Sequence, residues 1–131
     1  MNRLISAFGA AFVLGVAPGA PSAASELTAP LSELSHIHGV EFEASGDAIL
    51  FATHYGIFRF SPGAPAVLIS PDQSDYMGFT MLSNGNLIAS GHPENGGNLG
   101  VIESTNSGSL WTKVSDGADG PVDFHAIASP A

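Results

Sequence analysis

The sequence predicts an all-β protein, and three observations carry the prediction. Beyond the first thirty residues the chain is a series of short β-prone runs, each closed by Gly, Pro, Asn or Asp. No apolar pattern in that region recurs with a helical period of useful length. The runs also repeat. Gly39-Val40-Glu41-Phe42 matches Gly78-Phe79-Thr80-Met81, and the run from Ile49 to Gly56 matches the one starting at Leu87, with His54 on His92. A period of about 40 residues with four short strands per copy is the spacing of a β-propeller blade. The expected architecture is a partial β-propeller, with about two four-stranded antiparallel blades plus the first strand of a third.

The elements follow in chain order. Arg3, an apolar stretch from Leu4 to Ala17, prolines 18 and 21, and the small residues Ser22-Ala23-Ala24 have the layout of a cleavable secretory signal over residues 1–24. The apolar stretch, about 14 residues, falls short of the roughly 18–20 that span a bilayer, so the mature chain is expected in the periplasm or outside the cell, free of the membrane. Residues 25–34 read as a linker and residues 35–131 as the propeller part. Within it, strands are expected over 38–44, 48–56, 57–63, 77–82, 87–93, 99–105, 110–115 and 123–129, with Ser83-Asn84-Gly85-Asn86 as a hairpin turn. The last of these, Asp123 to Ser129, would open the third copy.

Composition narrows the function. The chain has twelve acidic residues and three basic ones, and removing residues 1–24 leaves only Arg59 and Lys113 as cations. Nucleic acid, which needs basic contacts to phosphate, is excluded as a partner. Without cysteine, an exported chain must be held by packing and not by disulfides. The Gly/Asn-rich loop 93–100 lacks the lysine and following helix of a phosphate cradle, and the acidic loop 115–123 lacks the spacing of a calcium loop.

The stretch "STNSGSLW", residues 104–111, joins the third and fourth strands of the second copy. Ser104, Asn106, Gly108 and Trp111 follow the Ser-x-Asp-x-Gly-x-x-Trp pattern with Asn in place of Asp. A short amide side chain can fold back on nearby backbone N–H groups, glycine permits a left-handed turn, and tryptophan packs between sheets. This is a structural staple and carries no chemistry. Together with "LSHIHGVEF", "LFATHYGIFRF" and "DYMGFTMLSNGNLIASGHP", it makes residues 34–129 resemble the secreted BNR/Asp-box, sialidase-like propeller proteins, many of them labelled glycosyl hydrolase-like. The resemblance implies either a propeller-type binding or scaffold module, or the N-terminal part of a secreted glycosyl hydrolase-like enzyme. The three substrate-binding arginines and the Arg-Ile-Pro motif of sialidases proper are missing, and no catalytic residue can be assigned. A closed propeller of that group has six or more blades, so the chain is expected to be part of a longer propeller or to close one as a homo-oligomer.

The candidate site comes from strand direction. First strands of a blade leave one rim and second strands return to it, so His36, His38, His54, His92 and His125 should converge there. Asp75 and Asp123 hold the position of His36 in later copies, and Met77 that of His38. Histidine and aspartate suit zinc or copper, and methionine suits cuprous copper. His36 and His38, two apart on one strand, should share a side and chelate. A carbohydrate or small polar ligand bound with Tyr55 and Tyr76 is the alternative occupant of the same rim.

Overall fold

The computed structural model describes residues 26–130, and the expected signal segment 1–24 lies outside them. The first antiparallel sheet contains β1 (Thr28–Ala29), β2 (Ile37–Phe42), β3 (Ile49–Thr53), β4 (Gly56–Phe60) and β5 (Ala66–Leu68), in the order β1-β5-β4-β3-β2. The second contains β6 (Asp75–Met81), β7 (Leu87–His92), β8 (Val101–Ser104) and β9 (Thr112–Ser115), in sequence order. Neither sheet closes on itself. The first sheet has five strands because Thr28–Ala29, in the stretch read as a linker, pair with Ala66 and Val67. A 3-10 turn over Leu31–Glu33 then leads into β2.

Alternation decides which faces meet. Along β3, Leu50 and Ala52 are buried while Ile49 and Phe51 are less so, and in the second sheet Phe79, Leu87, Ala89 and Ile102 are buried in turn. These residues, with Ile57 and Tyr76, form one apolar cluster between the sheets. Each large aliphatic side chain withdrawn from water there contributes about 1.5–3 kcal/mol. Close approach is set by glycine. A Cβ on Gly39 of β2 would lie 2.8 Å from Phe79 Cβ of β6, so a side chain there would push the sheets apart. Gly78 repeats the device on β6, where an added Cβ would meet the Phe124 carbonyl oxygen.

The hairpin turn at residues 83–86 forms as expected, with Gly85 at φ 86° and the Gly85 N–H donating to the Leu82 carbonyl at 2.9 Å. Asp123 to Ser129, expected as a strand, is not one. It lies across the face of β6, against Gly78, and the Phe124 N–H donates to Ser90 Oγ at 2.9 Å. Packing on a face leaves its backbone without a ladder partner, and strand structure needs one.

The stretch from Ser104 to Trp111 is a closed polar unit. Ser104 Oγ accepts from the Gly108 N–H at 2.9 Å and donates to Asn106 Oδ1 at 3.0 Å. Asn106 Oδ1 in turn accepts from the Leu110 N–H at 2.9 Å, and Trp111 Nε1–H donates to the Gly108 carbonyl at 2.9 Å. Ser107 and Gly108 take φ of 59° and 88°, the left-handed conformation the turn requires. Trp111 rests against Tyr76, ring centroids 5.7 Å apart. Every polar atom named here has its partner within the hairpin.

Candidate metal centre

Two β-bulges aim the rim residues. The β2–β3 pairing skips between Ile37 and Gly39, leaving His38 outside the regular register, and the β6–β7 pairing skips between Tyr76 and Gly78, leaving Met77 there. Bulges re-aim a side chain relative to the sheet, which explains why residues 38 and 77 escape simple alternation. His54 stands just past the end of β3, Asp75 begins β6, and His92 ends β7 as the direct cross-strand partner of Asp75.

The first cluster joins both sheets. His54 Nδ1 lies 2.5 Å from Asp75 Oδ2, His38 Nε2 lies 3.5 Å from Asp75 Oδ1, and the two histidine nitrogens are 3.4 Å apart. Asp75 Oδ1 is buried and accepts no hydrogen bond. His36, expected to chelate beside His38, does not join these atoms. Its backbone is left-handed, φ 52°, so strand alternation fails there, and its ring stacks on His54 with centroids 4.6 Å apart.

The second cluster repeats the arrangement one sheet further on. His92 Nε2 and His125 Nε2 lie 2.7 Å and 2.6 Å from Asp123 Oδ2. Asp123 has 9% of its side chain exposed, and its Oδ1 is buried with no hydrogen-bond partner. His92 Nδ1 faces the Gly97 carbonyl at 3.1 Å, which fixes the ring and turns Nε2 toward Asp123. The Gly97 carbonyl, and after it the charges of Asp123 and Asp75, raise the His92 pKa above the usual histidine value. His125 is the most open member at 66% exposure, because it rides on the segment that forms no ladder.

Each set offers two imidazole nitrogens and a carboxylate, with all donor atoms within 4.8 Å of one another. A tetrahedral zinc with ligands at about 2.0–2.1 Å spaces its donors about 3.3 Å apart. The 3.4 Å and 3.5 Å separations around His38 already match that edge. The shorter contacts to the carboxylates are those of ion pairs and would open by less than about 1 Å around an ion. The rim brings all five histidines and both aspartates into these two groups or, for His36, against one of them. Met77 occupies the bulge of β6, between Tyr76 and Gly78. Tyr55 is exposed next to His54, whereas Tyr76 is buried and its phenol pKa is raised by burial and by Asp72, which removes it as a contact for a sugar. The sequence did not point to Gly97. A Gly/Asn-rich loop after His92 was visible, but its return onto that ring was not.

The two Lys and Arg cations among the described residues are committed elsewhere. Arg59 binds Glu43 through two bonds, Nε to Oε1 at 2.7 Å and Nη2 to Oε2 at 2.9 Å, and Lys113 pairs with Asp116 at 2.7 Å. Among the described residues no helix is long and apolar enough to cross a membrane. Comparison with protein-family profiles, with curated proteins and with solved structures finds no match for this chain.

Proposed function

We propose that the chain is an exported binding module of propeller type whose histidine rim holds a divalent transition-metal ion, zinc in the first instance, at His38, His54 and Asp75. One observation carries the reading: two imidazole nitrogens and the Asp75 carboxylate, from two different sheets, meet at ligand spacing, and the Oδ1 of that carboxylate is buried with no hydrogen-bond partner. A buried carboxylate oxygen left without a donor is costly, and a cation supplies what it lacks. Two imidazoles and a carboxylate leave a coordination position open, as in catalytic zinc sites, so the ion could also receive a small polar ligand. The two sheets fit the blade reading because they are consecutive, antiparallel and packed through their first full strands, β2 on β6. The Asp-box pattern and the signal-like first 24 residues support export of a BNR-type protein.

Calorimetric titration of the untagged protein with zinc tests the reading. Binding should be lost in the double variant His38→Ala/His54→Ala and kept in His36→Ala, which only stacks on the site. If the double variant binds zinc as the parent does, the proposal fails. A carbohydrate occupant is the second reading, favoured by Tyr55, which stands exposed beside His54. It predicts that Tyr55→Ala abolishes sugar binding whether or not zinc is present.

A further inference from the structure

We infer that each chain holds a second zinc ion, at His92, Asp123 and His125, and that this site and the first oppose one another across the Asp75–His92 pair. The inference rests on the metal reading of the rim and goes on to its stoichiometry and internal regulation.

The second site is built, not incidental. Its carboxylate is nine-tenths buried, and its inner oxygen has no hydrogen-bond partner. Its first histidine is oriented by a backbone carbonyl on the far ring nitrogen, the arrangement that presents the other nitrogen to a metal. Both histidines bring their Nε2 to a single carboxylate oxygen, a crowding that a shared cation relieves. The donor set is again two imidazoles and a carboxylate, which selects the same class of ion as the first site.

The sites are unequal for a structural reason. The first draws His38, His54 and Asp75 from elements anchored in the two sheets, so little ordering is needed when an ion arrives. The second takes His125 from the exposed segment that forms no ladder, and holding that side chain reduces its affinity. The sites are also linked. Asp75, a ligand of the first, is the cross-strand partner of His92, a ligand of the second. Asp75 and His92 face one another on neighbouring strands β6 and β7, about 4.8 Å apart, and each ion would sit on the far side of its own ligand, so the two ions would stand on the order of 10 Å apart. That is too far for a shared ligand atom and close enough for repulsion. An ion at the first site neutralises Asp75 and adds positive charge beside His92. By linkage, the second ion weakens the first by the same factor. With its aspartate counted, each occupied site carries a net charge of about +1, and for two such charges at this distance near a protein surface the penalty is on the order of tenfold in affinity, reduced by salt.

Zinc titration with native mass spectrometry and calorimetry, on the untagged chain, separates the parts. The parent should take up two ions in a tight and a weak step. His125→Ala should bind one ion with the parent's tight constant, because the first ion always enters with the second site empty. His54→Ala should also bind one ion, on the order of tenfold more tightly than the parent's weak step, and that gain should shrink as salt rises from low to about 0.5 M. If His54→Ala loses its cooperative melt, His38→Ala serves in its place. A parent that saturates with one ion overturns the second site. A His54→Ala constant equal to the parent's weak step overturns the coupling. No zinc bound by the parent at all overturns the metal reading itself, a different result from either.

Discussion

The hairpin from Ser104 to Trp111 and the histidine rim are both polar constructions, and they differ in how their hydrogen bonds end. In the hairpin, Ser104 Oγ, Asn106 Oδ1, Trp111 Nε1 and the facing amides satisfy one another. At the rim, Asp75 Oδ1 and Asp123 Oδ1 are buried without a hydrogen bond, while histidine nitrogens crowd toward the same carboxylates. Closed networks stabilise a turn and need nothing further. An open network of ligand-type atoms is the condition for binding something else. The same fold therefore uses similar residue types for structure in one place and leaves them available in another.

The largest effect should come from the backbone directly behind the rim. Gly91 sits at φ 152°, and an added Cβ would fall 1.9 Å from the Asp75 carbonyl oxygen. Gly91→Ala should cost about 3 kcal/mol or more, read as a lower urea midpoint, and should disturb zinc binding with it. Next is Ser104→Ala, which leaves the Gly108 N–H without its acceptor. A loss of about 2 kcal/mol is expected, with zinc affinity unchanged. Asp75→Asn should do the reverse, abolishing zinc binding while the metal-free protein stays within about 1 kcal/mol of the parent, because a buried and half-satisfied charge is removed. If Asp75→Asn destabilises the metal-free protein as much as Ser104→Ala does, the contrast between the two regions is wrong.

Smaller effects sharpen the same contrast. Asn106→Asp keeps the acceptor used by Leu110 and Ser104, so stability should change by less than about 0.5 kcal/mol, whereas Asn106→Ala should cost about 1 kcal/mol. Glu43 supplies the pH dependence remote from the rim. Its bonds with Arg59 hold its pKa below the ordinary 4.5, so its contribution is complete above that value and lost as pH falls through the lowered one. Arg59 is well exposed, so the difference between the parent and Glu43→Gln should stay under about 1 kcal/mol and vanish at low pH.

Much of this was legible because local chemistry governed it. β-prone runs marked every strand but β1 and β5, Gly85 marked the turn, and the Ser-Asn-Gly-Trp spacing the hairpin. The repeat placed Asp75 and Asp123 at the rim from sequence alone, since both register and repeat are properties of short segments. What failed depended on tertiary contacts. His36 was expected to chelate beside His38, but a left-handed backbone turns its ring onto His54. The alternating run from Asp123 to Ser129 reads as a strand, yet it meets a face of β6 where no ladder is offered. Tyr76 looks like a surface aromatic beside Asp75, and burial against Trp111 makes it part of the core.

The central claim is that the two histidine-paired carboxylates, each with one buried oxygen lacking a hydrogen bond, are cation ligands. The most direct measurement is a crystal of the untagged protein soaked in zinc, with diffraction recorded on either side of the zinc absorption edge. The account predicts an anomalous peak about 2.0–2.2 Å from His38 Nε2, His54 Nδ1 and an Asp75 oxygen, with a weaker one at His92, Asp123 and His125. A rim without anomalous density at saturating zinc would contradict it.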